Sequence, residues 1–202
     1  MDNLIENIEK QNESLFTLGS ILINRANINN ERTKLLNVCT LIKGFEVGSQ
    51  NYIENNVMTY HVPYIRVGDL LSIGKTFVEG NDNLIYCSFD DILIAFDGAP
   101  GRNAIGIEGA FSSGIYKVDC KKEDKGLIYF ELNSSLNQKI IKDHSQGTTI
   151  LHASKALPFL EVAEADNETK TKLNIIFSQL VANKKKLQLL KKQKNVLLAK
   201  YF

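Results

Sequence analysis

The strongest constraint on this chain is its last stretch. Residues 167–202 hold no glycine, no proline and no acid after Glu168. Leu173, Ile176, Leu180, Leu187, Leu190, Leu197 and Tyr201 recur at intervals of three, four and seven. An apolar stripe with that spacing is one face of an amphipathic helix, and the 3-4 alternation is its coiled-coil form. At ~1.5 Å per residue such a helix is about 50 Å long, more than one small domain can cover. The stretch reads as a spacer and docking surface, with the rest of the chain a module carried at one end. Asn183 and Lys194 fall at seam positions among the leucines. A polar seam residue can fix register and partner number; the other reading has both residues flank the contact and face water.

Charge divides the same way. The net charge of +1 conceals +9 from residue 169 onward, −2 over residues 1–33 and −6 over residues 34–168. A basic tail serves nucleic acid or is simply a solvated helix face. With 44% apolar and 23% charged residues the composition is that of a globular protein. No run of 18 apolar residues occurs, so no membrane-spanning helix is expected. The opening MDNLIENIEKQNE is polar and acidic, unlike a signal peptide. Cys39, Cys87 and Cys120 are scattered and odd in number, which fits reduced cytoplasmic thiols better than disulfides or a zinc site. No metal or cofactor is expected.

A second helical pattern runs over residues 2–24 through Leu4, Ile8, Leu15, Leu18 and Leu22, and should end near Asn27. It is too one-sided to stand alone, and the C-terminal helix is its natural partner. Between residues 34 and 162 short β-prone runs alternate with turn residues: VCTLIKG, YHVPYIRV, TFVEG, NLIYCSF, DILIAFDG, AIGIEGAF, GIYKVDC and LIYFELN. This predicts a β-rich mixed domain. SSLNQKIIKD at 134–143 predicts a short helix with a serine cap. ALPFLEV at 156–162 predicts a last strand with Pro158 near its start or on an edge. An acidic connector then leads to the long helix, with Asn167 or Thr169 as its N-cap and Glu168 near its positive end. The expected class is α+β, divided into an N-terminal helix (1–33), a β-rich module (34–164) and a long coiled-coil helix (165–202).

Motifs that suggest chemistry fail on inspection. GDLLSIGKT at 68–76 places five residues between its glycines where a phosphate loop has four, and no helix start follows. DGAPGRN at 97–103 does not match the dinucleotide fingerprint. It is a glycine-rich turn, either a plain hairpin or a loop presenting Arg102 and Asn103 to bases or phosphates. Asp119, Glu123 and Lys125 sit in a charged KKEDK context more typical of an exposed turn than of a nuclease. His61, His144 and His152 have no nucleophile at a recognisable spacing, and no adenine-methyltransferase motif is present.

Several stretches together resemble the specificity subunit of type I restriction–modification systems. They are LLNVCTLIKG at 35–44, VPYIRVGDL at 62–70, DDILIAFDG at 90–98, GTTILH at 147–152 with LPFLE at 157–161, and the tail ending LLAKYF at 197–202. The resemblance covers residues 34–202, with the motifs in the family's order. It implies a non-catalytic DNA-binding component whose target recognition domain reads half of a split target in double-stranded DNA. It also implies partners: DNA adenine methyltransferase subunits and a restriction (translocase/endonuclease) subunit, in the cytoplasm. Family members carry two recognition domains and two conserved helices; this chain has one of each, plus the N-terminal helix. The expected remedy is a homodimer through antiparallel long helices, with Leu173, Ile176, Leu180, Asn183, Leu187, Leu190, Lys194 and Leu197 as the seam.

Loops usually carry recognition groups. The candidate DNA-binding residues are Gln50, Asn51, Tyr52, Arg66, Lys75, Arg102, Ser145, Thr148, Thr149, His152 and Lys155. Gln and Asn can pair with adenine and Arg with guanine, whereas Ser, Thr and Lys more often hold phosphate. The competing reading is a coiled-coil adaptor whose β-rich domain binds protein or peptide.

Overall fold

The computed structural model describes residues 1–29, 31–54, 58–72, 74, 76–147 and 151–201. Two helices frame the chain, α1 (Asp2–Asn29) and α4 (Asn167–Tyr201). Between them lie the strands β1 (Arg32–Lys34), β2 (Cys39–Lys43), β3 (His61–Ile65), β4 (Phe77–Glu79), β5 (Tyr86–Cys87) and β6 (Ile92–Ala95). They are followed by β7 (Asn103–Ala104), β8 (Gly109–Phe111) and β9 (Ile115–Cys120), the helices α2 (Lys125–Leu132) and α3 (Ser135–Asp143), and β10 (Glu161–Ala163). The class is α+β.

Two four-stranded sheets carry the module. One has the order β2-β9-β6-β7, all antiparallel; the other has the order β4-β3-β8-β5, with β3 and β8 parallel. Strand side chains alternate between faces, and β6 shows the result. Ile92, Ile94 and Phe96 enter a core shared with the helices, whereas Leu93 and Ala95 enter a second core shared with Ile65, Cys87 and Phe111 of the other sheet. All four residues of β6 are buried, so the continuous apolar run ILIA reflects a strand covered on both sides.

The helices form the third layer. α1 and α4 run antiparallel, since Asp2 pairs with Lys194, Glu9 with Lys191, and Asn12 with Asn183. Ile5 and Ile8 close on Leu187. Farther along, Leu173, Ile176, Phe177 and Leu180 join the main core with Ile23 of α1 and Leu127 and Phe130 of α2. α2 crosses α4 closely enough that a Cβ on Gly126 would lie 2.4 Å from the carbonyl carbon of Leu173. Asn174 locks this crossing: its Oδ1 accepts from the Gly126 amide at 2.6 Å and its Nδ2 donates to the Glu123 carbonyl.

Sequence expectations hold for most strands and for α3, whose Ser134 hydroxyl accepts from the Asn137 amide as an N-cap. Four details differ. LIYFELN is the helix α2, not a strand: it is buried from Gly126 to Leu132, so neither period 2 nor period 3.6 marks it, and its surroundings override the β preference of Ile, Tyr and Phe. Residues 156–160 are not strand, because a 3-10 turn over Ser154–Phe159 accommodates Pro158 and the strand is confined to Glu161–Ala163. α1 continues to Asn29, and the three residues Arg32–Lys34 form a strand paired with β10 rather than helix. The cap of α4 is Asp166, one residue before the expected candidates, with Oδ1 accepting from the Thr169 amide at 2.7 Å. That hydrogen bond holds the Asp166 carboxyl below the usual range.

A polar network ties the module to the helix layer. The Glu131 carboxylate, fully buried, receives Arg32 at 3.0 Å and the Ala163 amide at 2.8 Å. Arg32 also reaches Glu161, which Lys34 binds at 2.7 Å. Hydrogen bonding from Lys34, followed by the charge and hydrogen bond of Arg32, outweighs burial and lowers the Glu161 carboxyl. Among the described residues, no helix is long and apolar enough to cross a membrane.

Candidate nucleic-acid interface

The loops at the ends of β3 and β6 and the segment before β10 meet around Val67. Gly98 (φ 73°) and Gly101 (φ 84°) turn the chain after β6 in left-handed conformations that glycine adopts without a Cβ penalty. This turn rests against Val67: Gly98 faces its side chain, and the Arg102 guanidinium donates to its carbonyl at 3.3 Å. On the other side the Gly98 amide donates to the Leu151 carbonyl at 2.8 Å. His152 Nδ1 lies 2.8 Å from Asp97 Oδ1, and its backbone exchanges two hydrogen bonds with Gln146. Lys155 reaches the Gln146 side chain at 3.2 Å.

On the Arg66 side the strip continues. Arg66 precedes the 3-10 turn Val67–Leu70, where its amide donates to Asp69 Oδ2 at 2.9 Å. Its guanidinium lies over the Tyr52 ring, 5.6 Å from the centroid. Tyr52 donates to Glu46 at 3.2 Å, and burial, with Glu46 beside it, raises its phenol. The structure therefore joins Tyr52, Arg66, Arg102, His152 and Lys155 in one chain of contacts, although they span more than one hundred residues of sequence.

Other predicted residues fall elsewhere or are committed. Gln50 is exposed on the 3-10 turn Ser49–Asn51, beside the strip. Asn51 is exposed too, but its amide nitrogen is used on the Val47 carbonyl. Ser145 lies just past α3, where its hydroxyl donates back to the Ile141 carbonyl at 2.8 Å. Asn103 pairs its amide with Asn133 and the Gly101 carbonyl, which fixes the glycine turn onto α2 and occupies the side chain. Lys75, Thr148 and Thr149 lie outside the described residues. Asp97 and Gln146 escaped sequence reasoning, because nothing in a sequence couples positions 97 and 152.

The charged turn that resembled a nuclease fragment is structural. Lys125 bridges Asp90 at 2.8 Å and Asp91 at 3.5 Å, and Asp124 binds Lys170 of α4. Among the described residues, no group of three His, Cys, Asp or Glu side chains could hold a metal ion.

The predicted seam divides in two. Leu173, Ile176, Leu180, Asn183 and Leu187 are buried within the chain, and Leu190 packs partly against α1. Asn183 accepts from Gln179 and donates to Asn12, so this polar interruption lies inside the contact. Lys194 pairs with Asp2, and Leu197 is exposed. Leu189, Val196, Leu198 and Tyr201 are exposed with it, as are Met1, which lies beside Val196 and Leu197, and Leu4 of α1. Of the nine tail lysines, Lys170, Lys172, Lys191 and Lys194 meet acids.

A β-rich module fixed at one end of an antiparallel pair formed by a long helix and an N-terminal one is the fold of the S subunits of type I restriction–modification systems. The chain is similar over its whole length to the type I S subunit from M. genitalium, with a TM-score of 0.65, 18% identity and 57% of that chain covered. It is similar over 94% of its length to the HsdS subunit from Thermoanaerobacter tengcongensis (TM-score 0.58, 12% identity, 48% of that chain covered). A chain from a structure describing complex assembly and conformational transition of the type I R-M system matches 96% of it (TM-score 0.56, 13% identity, 53% of that chain covered). The chain thus spans about half the length of the structures it matches. No family model and no curated protein matches it.

Proposed function

We propose that this chain is a DNA-sequence specificity subunit of a type I restriction–modification system. In this reading it is non-catalytic, reads half of a bipartite target in duplex DNA, and docks adenine methyltransferase subunits and with them a restriction subunit, in the cytoplasm. The observation that carries the proposal is the overlay of the entire chain, helices and module together, on about half of known S subunits. The strip from Tyr52 to Lys155 supports it with the side chains that DNA readout uses: arginines and a histidine for base edges, and a lysine for phosphate.

The structures it matches are about twice as long as this chain. The exposed apolar residues at the far end of α4 favour a second copy of this chain, with the long helices antiparallel. Such a dimer is two-fold symmetric and reads a palindromic, interrupted target. One turn of DNA is about 34–36 Å, a spacing that two helices of about 50 Å can set.

Charge determines how binding should behave. The module with its acidic connector, residues 34–168, carries −6, so phosphate contacts draw on cations from the partner subunits. Titrating duplex DNA with the chain alone and with methyltransferase at about 50 and 200 mM salt tests this. Weak binding alone is expected, with firm, salt-sensitive and sequence-selective binding by the complex. A complex without sequence preference contradicts the proposed function, and tight selective binding by the isolated chain contradicts the borrowing of charge.

A further inference from the structure

We infer that Asp97 fixes the tautomer of His152, so that His152 presents a hydrogen-bond acceptor that selects a base with an amine in the major groove, adenine or cytosine. This deepens the DNA-specificity reading and rests on it.

The pair is built for a fixed orientation. Asp97 Oδ1 lies 2.8 Å from His152 Nδ1, so the carboxylate accepts the Nδ1 proton. In the neutral ring the lone pair then belongs to Nε2, which has no partner among the described residues, and the side chain is 59% exposed. The backbone beneath is stitched on both sides. The His152 amide donates to Gln146 at 2.8 Å, its carbonyl accepts from Gln146 at 3.0 Å, and the next residue, Ala153, donates to Phe96 at 2.7 Å inside the core. Each of these bonds removes freedom that the ring would otherwise lose on binding. Arg66 and Arg102 meet at Val67 beside the same turn, so His152 lies within the strip rather than apart from it.

The chemistry follows from the tautomer. In the major groove adenine N6 and cytosine N4 are donors, whereas guanine N7 and O6 and thymine O4 are acceptors. An Nε2 acceptor favours the first pair and disfavours the second. Asp97→Asn reverses this. The amide, of the same shape, can donate to Nδ1 and move the ring proton to Nε2, and a histidine held in the wrong tautomer loses its function even when its geometry is intact. Among the described residues, His152 is the one side chain bonded to the Asp97 carboxylate, so the exchange should leave the fold intact.

The test selects bound sequences from randomised duplex DNA with the full chain assembled with adenine methyltransferase subunits, for wild type, His152→Ala and Asp97→Asn. The wild type should enrich a motif with adenine or cytosine at one position. His152→Ala should flatten that position by about tenfold and leave the others intact. Asp97→Asn should shift the same position toward guanine or thymine. A motif unchanged in His152→Ala overturns the inference alone; a position flattened equally by both variants overturns the tautomer assignment. A wild type that enriches no motif overturns the specificity reading, and this inference with it.

Discussion

Single residues bind the parts of this molecule into one body, and Lys125 is a clear case. It reaches from the start of α2 to Asp90 and Asp91 in the turn before β6. Burial works against its charge, but the hydrogen bond and charge of Asp90, with Asp91, raise its pKa above the ordinary value. The Lys125 hydrogen bond lowers Asp90 in turn, against a smaller opposing effect of burial. The signs differ. Asp90 contributes stability that is fully present above an unfolded value near about 3.9 and is lost as pH falls through its lower folded value. Lys125 contributes stability that is fully present below about 10.4 and is lost as pH rises through its higher folded value. Urea midpoints should therefore stay level for this pair between about pH 5 and 9 and fall at both extremes, and Lys125→Met should flatten both falls. A variant with the same pH profile as the wild type would show the pair to be inert. Asp90 is more than half exposed, so solvent screening keeps its share small.

At the scale of elements, what was legible in the sequence follows from exposure. α4 declares itself because one face is wet: Leu173, Ile176 and Leu180 recur against polar neighbours, and the stripe is visible. α3 is legible through the Ser134 cap. α2 is not, since a helix buried from Gly126 to Leu132 has no wet face to set a period. The recognition strip was readable as residue types on loops, but not as a constellation. Asp97 meets His152, and Arg102 meets Val67, through folding alone, and the Ser145 hydroxyl turns back on the Ile141 carbonyl. The seam was half legible: the spacing gave the stripe, but not the fact that α1 covers it as far as Leu190. In the proposed dimer that division would place the contact at the far end of α4, where Val196, Leu197, Leu198 and Tyr201 stand exposed. Leu197→Asp with Leu198→Asp should reduce the solution mass from two copies to one while leaving circular dichroism and thermal unfolding of the monomer intact. A monomeric wild type would contradict the two-copy arrangement.

For the whole molecule, the proposed design is a reader bolted to a ruler. Asn174, Gly126, Asp124 and Lys170 hold α2 against α4, and Arg32 with Glu131 and Glu161 holds the connection between α1, the module and β10. If a second copy binds as proposed, a rigid joint matters because the position of the second reader would be set through it, and any play there would blur the spacing between half-sites. The nine tail lysines are in part a matter of internal balance, since Lys191 and Lys194 meet the acids of α1. The central claim is that one chain reads a half-site and a second copy of it reads the other. It is tested most directly by sequencing methylated adenines in DNA from cells that carry this chain and its methyltransferase and lack any other specificity subunit. The account predicts one interrupted palindrome, with identical half-sites in opposite orientation at a fixed spacing. An uninterrupted or asymmetric motif, or methylation independent of this chain, would contradict it.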